Sequence, residues 1–404
     1  RAEGFGLKYY SSSSFDLEDL DSKSEEAIDF VRQNRRPAII EIDTYRLNAH
    51  SKGDDNRLKS EVESFRDKDV LTEILIQEDN EISDYVVQTK ENIEEIISEI
   101  KLGPTLSKIK EPNKLASLSR LEAYGPEIEE HDRYNALICK ALTGIFTEFK
   151  DSMMIGEDIQ NKTEFTNSDY GGAFKVSKDM SDLFPGRVLN SPISEAAILG
   201  LMSGYSMKAG RSFVEIMFGD FTTLIFDQVL QHASKFETMF NGKVKCPVTI
   251  RTPMGGKRGY GPTHSQSIEK HFLGIDNFAI IVLHHRISPE YLYQALMTVS
   301  MPSMVIENKI LYTIDTSKQR LPNYNYNFDN RLFPNITLSP KYESAEVTVV
   351  CYGEVLSVVE DAMLEMLIEE EIYCEVVCPT LISEIDIDPI FRSLRETKKL
   401  VIIE

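Results

Sequence analysis

The sequence predicts an α/β protein built on doubly wound, mostly parallel sheets, and three stretches carry that prediction. Between Tyr134 and Tyr312 helical periodicities alternate with short apolar runs, the pattern of strands joined by crossover helices. Nearer the N-terminus the amphipathic "SKSEEAIDFVRQNRR" leads into "PAIIEIDTY", whose central apolar run suits a parallel strand buried on both faces. Toward the C-terminus "VTVVCYG", "EVLSVVEDAMLEMLIEEE" and "IYCEVVCP" read as strand, helix and strand, one βαβ unit.

Taken in order, the first helix–strand pair is followed by "AHSKGDDNR", whose Gly, Asp and Asn mark an exposed loop. Helical patterns follow in "SEVESFRDKDVLTEILIQ" and "TKENIEEIISEIK", closing a first segment at 1–102. Pro, Gly and Ser then interrupt the period in "GPTLSKIKEPNKLASLSR", so 103–132 reads as a linker. The central segment, 133–320, runs through "NALICKALTGIFTEF", "SMMIGED", "EAAILGLMSGYSMKAG", "SFVEIMFGDF", "KCPVTIRTP", "NFAIIVLHH" and "MPSMVIENKILY". The polar, Asn-rich "LPNYNYNFDNR" predicts a second linker over 321–345, ahead of a last module at 346–404. That module closes on "KKLVIIE", an apolar strand with an exposed edge, so an incomplete domain is expected there, and "RAEGFGLKYY" reads as an equally abrupt start.

A hydrophobic fraction of 42% over 404 residues suits substantial cores, and the length suits two or three domains of ~150 residues. The formal charge of −21 opposes sequence-independent binding to nucleic acid or anionic lipid, both of which need clustered Lys and Arg. No apolar run reaches the ~18 residues of a membrane span, and the first residues lack the h-region of a signal peptide, which predicts a cytoplasmic or organelle-lumen protein. Five cysteines, an odd count in so long a chain, fit a reducing compartment better than a disulfide framework. Cys374 and Cys378 fall on one face of a strand pattern, but no second Cys/His pair completes a zinc site, and no metal ligands are expected.

Glu195 is a single carboxylate inside "LNSPISEAAILGLMSG", a run of small and apolar residues. Glutamate is seldom buried without a partner, so Glu195 either favours the positive end of a helix after Ser191 and Pro192 or faces a ligand. The surrounding "RVLNSPISEAAILGLMSGYSMKAGRSFVEIMFGDFTTLIFDQ" has "GEDI" and "GGAFKVSKDM" before it and "VTIRTPMGG" and "THSQS" after it. Together these resemble the β subunit of the thiamine-diphosphate-dependent decarboxylase component of 2-oxoacid dehydrogenase complexes, of the pyruvate and branched-chain type. "RAEGFGL", "AIDFVRQNRRPAIIEIDTYRLNAHSKGDDNR" and "SFRDKD" resemble the end of the partner α subunit. The resemblance therefore implies an α–β fusion lacking most of its α part. Residues 1–102 would close a diphosphate-type domain, 133–320 would form the pyrimidine-binding domain, and 346–404 would be an incomplete transketolase C-terminal-like domain.

What the resemblance implies for the site is read residue by residue. Glu195 takes the position of the carboxylate that bonds a pyrimidine ring nitrogen of the cofactor and promotes its imino tautomer, a bond that a desolvated pocket strengthens. Phe221, in "FGDF", takes the position of the aromatic that stacks on the aminopyrimidine; its plainer alternative is a core phenylalanine. His264, in the glycine-rich "GYGPTHSQSIE", matches the histidine that lines the active-site channel and assists proton transfer or acyl transfer to lipoyl groups. His50, in "RLNAHSKG", matches the α-subunit histidine that orients substrate, although Ala49 stands where the family usually has Gly. Ser51 matches a position phosphorylated in mitochondrial members. The remaining histidines, His131, His232, His271, His284 and His285, show no metal spacing and read as structural or surface residues.

The implied cofactors are thiamine diphosphate and magnesium, and the implied partners are a 2-oxoacid, a lipoyl-bearing acyltransferase or other acyl acceptor, and further copies in a homo-oligomer (dimer or α2β2-like). Three departures shape that expectation. The Gly-Asp-Gly…Asn-Asn signature that anchors magnesium and diphosphate is absent from these residues, so those ligands are expected from elsewhere. Val299 and Met301, in "MTVSMPS", replace the potassium ligands of many β subunits, and "HHRISPEYLYQ" departs from the usual Asp-Ala-Lys pattern of the family. "GPTH" also resembles transketolases, which leaves ketol transfer as an alternative, and the missing diphosphate motif leaves a cofactor-free scaffold as another; "PISEA" with "HSQS" favours the dehydrogenase type.

Overall fold

The computed structural model describes residues 2–50, 53, 55–76, 80–102, 115–161, 170–208 and 210–404. The chain divides into two compact units, Arg1–Ile109 and Lys110–Glu404.

The first unit contains β1 (Lys8–Ser13), α1 (Leu17–Asn34), β2 (Ala38–Asp43), α2 (Lys59–Arg66), α3 (Val70–Ile76) and α4 (Asn80–Leu102). Asp16 caps α1 by accepting from the Asp19 amide, and the helix stops where Arg35 turns left-handed at φ 54°. β1, which the Ser-rich sequence did not announce, pairs in parallel with β2, placing Tyr10 opposite Ile40. The expectation that β2 is buried on both faces is corrected. Among the described residues it pairs with β1 alone and packs against α1, so Ile39 and Ile42 remain 40% and 44% exposed.

In the second unit the stretch expected as a linker over 103–132 is corrected in its later part, the residues 103–114 lying outside those described. Leu115 is buried, and Leu118, Leu121, Tyr124 and Ile128 pack on the same core. These apolar residues, spaced among Pro, Gly and charges, carry too little periodicity to be read as structure but enough surface to be held down.

The central elements are α5 (Tyr134–Glu148), β3 (Met153–Gly156), α6 (Met180–Leu183), β4 (Val188–Asn190), α7 (Glu195–Lys208), β5 (Ser212–Glu215), α8 (Phe236–Met239), β6 (Val248–Met254), β7 (Ala279–Val282), α9 (Pro289–Thr298) and β8 (Ser303–Asn308). The strands form a six-stranded, wholly parallel sheet in the order β4-β3-β5-β6-β8-β7. Each face carries its own core because the pleat sends alternate side chains to opposite sides. Met154 and Phe213 join Ile138, Leu142, Tyr291 and Leu292 on the α5–α9 side, while Ile155 and Val214 join Ile198, Leu199 and Met202 on the α7 side. The chain leaves β3 toward β4 and returns on the other side to β5, so the topological switch lies between β3 and β5.

The last elements are β9 (Tyr324–Phe328), β10 (Ile336–Pro340), β11 (Val347–Cys351), α10 (Val355–Glu370), β12 (Cys374–Cys378), α11 (Asp388–Thr397) and β13 (Leu400–Ile403). They build a five-stranded sheet in the order β13-β11-β12-β10-β9, with β11, β12 and β13 parallel and the β9–β10 pair antiparallel. The expected linker over 321–345 is therefore corrected to a strand pair. Tyr324 and Tyr326 point into the core while Asn325 and Asn327 face outward, the alternation of a half-buried strand hidden by its polar composition. Cys374 and Cys378 lie in that core beside Cys351, and β13 forms the exposed edge.

Candidate functional site

The carboxyl ends of β3, β4 and β5 are locked together. A Cβ added at Gly156 would come within 2.9 Å of the Glu215 Cβ, so only glycine lets β3 and β5 end so close. The Asn190 side chain accepts from the Gln160 amide at 2.8 Å, the Gln160 side chain accepts from the Asn190 amide at 3.2 Å, and Ser191 N–H donates to the Gly156 carbonyl at 3.0 Å. These bonds aim the start of α7 at the sheet edge. Glu195 is its first residue, where the helix dipole favours a negative charge.

Glu195 was expected to be buried, and within this chain it is half-buried, with no hydrogen-bond or ion-pair partner among the described residues. The reason is its place: the first turn of α7 emerges at the open edge of the sheet, and neighbouring Ile193 is 75% exposed. Its charge is felt nearby, since burial and then the charges of Asp158 and Glu195 raise the Glu157 carboxyl above its usual range. The Ser191 hydroxyl, at the same edge, is buried without a hydrogen-bond partner among the described residues.

Beyond β5 the chain passes Phe218-Gly219-Asp220-Phe221. A side chain at Gly219 would overlap Met254, so glycine is required for the turn that follows. That turn packs against α7 and holds Phe221 where the two cores of the sheet meet. The structure brings Phe221 and His264 together, with ring centroids 5.2 Å apart and planes at 74°. Phe218 completes the group, 5.6 Å from Phe221 and 4.8 Å from His264, both edge-on, as the ring quadrupoles prefer. Asp220 fixes the His264 loop by accepting from the Gln266 side-chain amide at 2.6 Å, and Thr263 Oγ1 lies 2.9 Å from His264 Nδ1. His50 lies in the first unit, exposed, with Arg46 Nη1 3.0 Å from its Nδ1. Ser51 lies outside the described residues.

Sequence reasoning missed a buried ionic network beneath this edge. Arg251 on β6, 1% exposed, donates to Glu215 on β5 at 2.6 Å and to Glu307 on β8 at 2.7 and 3.0 Å. Tyr293 and Tyr312 each donate to Glu307 at 2.6 Å. Burial raises the Glu215 carboxyl and Arg251 opposes that rise, while burial of Arg251 itself is outweighed by Glu307, Tyr293 and Glu215, which keep it charged. The available signal was one charged residue inside each of three otherwise apolar strands, "FVEIM", "VTIRTP" and "MVIEN", since a charge there demands a partner. A second network ties the loop after β7 to α10: Arg286 donates to both Glu360 oxygens at 2.9 and 2.7 Å, with His285 Nε2 at 3.1 Å. His284 is buried beside it, where burial and then the charge of His285 lower its pKa to about 3.

The doubly wound sheet is of the class found in the pyrimidine-binding domains of thiamine-dependent enzymes. The family model described as "Transketolase, pyrimidine binding domain" matches residues 133–314, and the one described as "Dehydrogenase E1 component" matches residues 1–103. The β subunit of the acetoin:2,6-dichlorophenolindophenol oxidoreductase of Bacillus subtilis is 31% identical over 257 residues, 62% of this chain and 72% of that protein. The pyruvate dehydrogenase E1 β subunit of Gracilaria tenuistipitata var. liui is 28% identical over 62% of this chain and 73% of its own. The mitochondrial β-2 subunit of Oryza sativa subsp. japonica is 27% identical over 75% and 77%. The chain belongs to the family of thiamine-dependent 2-oxoacid dehydrogenase E1 components, with an α-type segment fused ahead of a β-type region. The solved transketolase of Campylobacter jejuni subsp. jejuni NCTC 11168 shares the fold, with a TM-score of 0.56 at 13% identity over 99% of this chain and 60% of its own.

Membership of this family implies thiamine diphosphate, and the residues present fit its aminopyrimidine end. The start of α7 carries a carboxylate and, just before it, a buried hydroxyl, both without a partner among the described residues, and the turn that packs against α7 carries the aromatic pair Phe218–Phe221. The diphosphate end has no matching Gly-Asp-Gly…Asn-Asn segment in this sequence.

Proposed function

We propose that this chain contributes the aminopyrimidine-binding, proton-handling half of a 2-oxoacid decarboxylase that passes its acyl group to a lipoyl or other acceptor within a dehydrogenase-type complex. The observation that carries the reading is the meeting of Phe221 and His264, 5.2 Å apart, on the edge against which the Glu195 helix packs. The cofactor, when bound, supplies the electron sink that decarboxylation of a 2-oxoacid requires.

Glu195 would hold the pyrimidine ring nitrogen by accepting a hydrogen bond from it, with its negative charge favoured by the N-terminus of α7. Phe221 offers a flat apolar face for the ring, with Phe218 edge-on behind it. His264 delivers or takes a proton on the substrate side, a role open to an imidazole ring, which can both donate and accept. His50 is assigned to orienting substrate. Magnesium and the diphosphate are assigned to polypeptide supplying the missing motif, and the assembly is assigned to a cytoplasmic homo-oligomer that docks a lipoyl-bearing acyltransferase. No helix among the described residues is long and apolar enough to cross a membrane.

The test is a titration of the full-length protein with thiamine diphosphate and magnesium, with carbon dioxide release measured over pyruvate and branched-chain 2-oxoacids. Saturable binding and release are expected, with release lowered at least ~100-fold in Glu195→Gln, the scale of a lost proton-transfer function. The fold should persist in that variant, because a first-turn carboxylate contributes only ~0.3–1 kcal/mol to its helix. Absence of binding in a protein that includes the diphosphate-binding segment, or wild-type rates in Glu195→Gln, refutes the proposal; ketol transfer without carbon dioxide release moves it to the transketolase alternative.

A further inference from the structure

Lys309 follows the carboxyl end of β8 and is fully buried, an unusual setting for an ammonium group. Its backbone N–H bonds the Met254 carbonyl at 3.0 Å, which fixes it to the end of β6. Its Nζ donates to the backbone carbonyl of His264, and the same cation lies 5.2 Å from the Phe218 ring centroid and 5.7 Å from that of Tyr260. Phe218 in turn borders the His264 imidazole at 4.8 Å and Tyr260 at 5.3 Å. One ammonium thus touches the backbone of His264, the Phe218 ring that borders its side chain, and the Tyr260 ring packed on Phe218. Burial lowers the Lys309 pKa, and the Asp220 charge works against that fall.

A hydrophobic side chain of the same length would fill this space without the cost of desolvating a charge. What a methyl end cannot do is hold a carbonyl oxygen and two ring faces at once. The loop carries two glycines, Gly259 and Gly261, at φ 78° and 81°, and because glycine has many other conformations open to it, a restraint from outside helps to hold this one. Asp220 restrains the far side of the loop through Gln266, and Lys309 restrains His264 itself.

We infer that Lys309 is a positioning residue for His264, clamping the loop so that the imidazole stays against the Phe218–Phe221 edge during proton transfer. The inference rests on the decarboxylase reading for its chemistry but on the geometry alone for the clamp.

The experiment uses the full-length protein and the variants Lys309→Met and Lys309→Arg, with Tyr260→Leu as a second probe that leaves the lysine in place. Hydrogen–deuterium exchange reports the loop over 255–266; kcat, KM and the pH profile of carbon dioxide release report the chemistry. Lys309→Met should exchange faster in that loop and lose kcat by ~10–100-fold, the scale of a misplaced catalytic group, with KM for the 2-oxoacid changed less than ~3-fold. The pH profile of kcat should shift with it, and Lys309→Arg should recover part of the rate. Tyr260→Leu should move the same readouts in the same direction by less, and decides the matter if Lys309→Met does not fold. Unchanged loop exchange, or a loosened loop with unchanged kcat and pH profile, overturns the inference. A wild-type protein that binds the cofactor yet releases no carbon dioxide refutes the decarboxylase reading, while loop exchange still decides whether the clamp exists.

Discussion

Replacement of Arg251 by Met tests whether the ionic network under the site holds the central sheet together. Arg251 stands directly opposite Glu215 in the β5–β6 ladder, and its guanidinium reaches across to Glu307 on β8. Both carboxylates are buried, so Met leaves them without their cation, Glu307 keeping only its two tyrosine hydrogen bonds. Breaking a buried pair from one side costs about 3–5 kcal/mol. For a cooperative unit of this size, each kcal/mol shifts Tm by roughly 2–4 °C, so a fall on the order of 6–20 °C is expected.

The pH dependence has a definite sign. Burial already raises the folded-state pKa of Glu215, and Arg251 is the group that opposes the rise. Without it the folded protein binds a proton that the unfolded chain releases, so stability falls as pH rises through the folded pKa and returns as pH drops below it. Thermal melts followed by circular dichroism from pH 8 to pH 5 should show the largest gap between wild type and Arg251→Met at the alkaline end. A gap below ~2 °C at pH 8, or one that stays constant with pH, would refute the reasoning.

Two further outcomes are expected. Phe221→Leu keeps the apolar contact with both cores but removes the flat ring, so thiamine diphosphate should bind ~2–10-fold more weakly in calorimetric titration, matching the ~0.5–1.5 kcal/mol of an aromatic pair; equal affinity would assign Phe221 to packing alone. Burial alone would raise Glu360, but hydrogen bonds from His285 and Arg286 pull it down to about 2. Its charge therefore contributes stability above an unfolded-chain pKa of about 4.3, on the order of 3 kcal/mol, that is lost as pH falls toward about 2. Glu360→Gln should lower Tm at pH 7 and close the gap to wild type through that acid window; parallel melting curves would contradict the assignment.

Parts of this were legible in the sequence because local pattern and tertiary demand agree there. Each strand of the central sheet is buried on both faces, so "SMMIG", "SFVEI" and "PVTIRTP" had to be continuous apolar runs, and helices had to lie between them. The β9–β10 pair was not legible, because "NYNYNF" alternates tyrosine with asparagine and its polar half dominates the composition. Residues 115–132 escaped for a related reason: their apolar side chains follow no helical or strand period and are held by surfaces far away in sequence.

The same division runs through the site. The sequence singled out Glu195, Phe221 and His264 through motifs that resemble a known family, and glycine at 219 and 261 in those motifs answers local backbone needs. It also predicted the parallel doubly wound sheet, while the strand order, and with it the switch point between β3 and β5, came from the structure. Only the tertiary structure decided that Phe221 and His264 meet, that Glu195 stands at an open edge without a partner among the described residues, and that Lys309 reaches the carbonyl of His264. Those are contacts between residues 43 to 45 positions apart in the chain, such as Phe221 with His264 and Lys309 with His264, which no local period encodes. A charge inside an apolar strand says that a partner must exist, because an unpaired buried ion is too costly; which residue answers it is settled by how neighbouring strands align, as Arg251 does between Glu215 and Glu307.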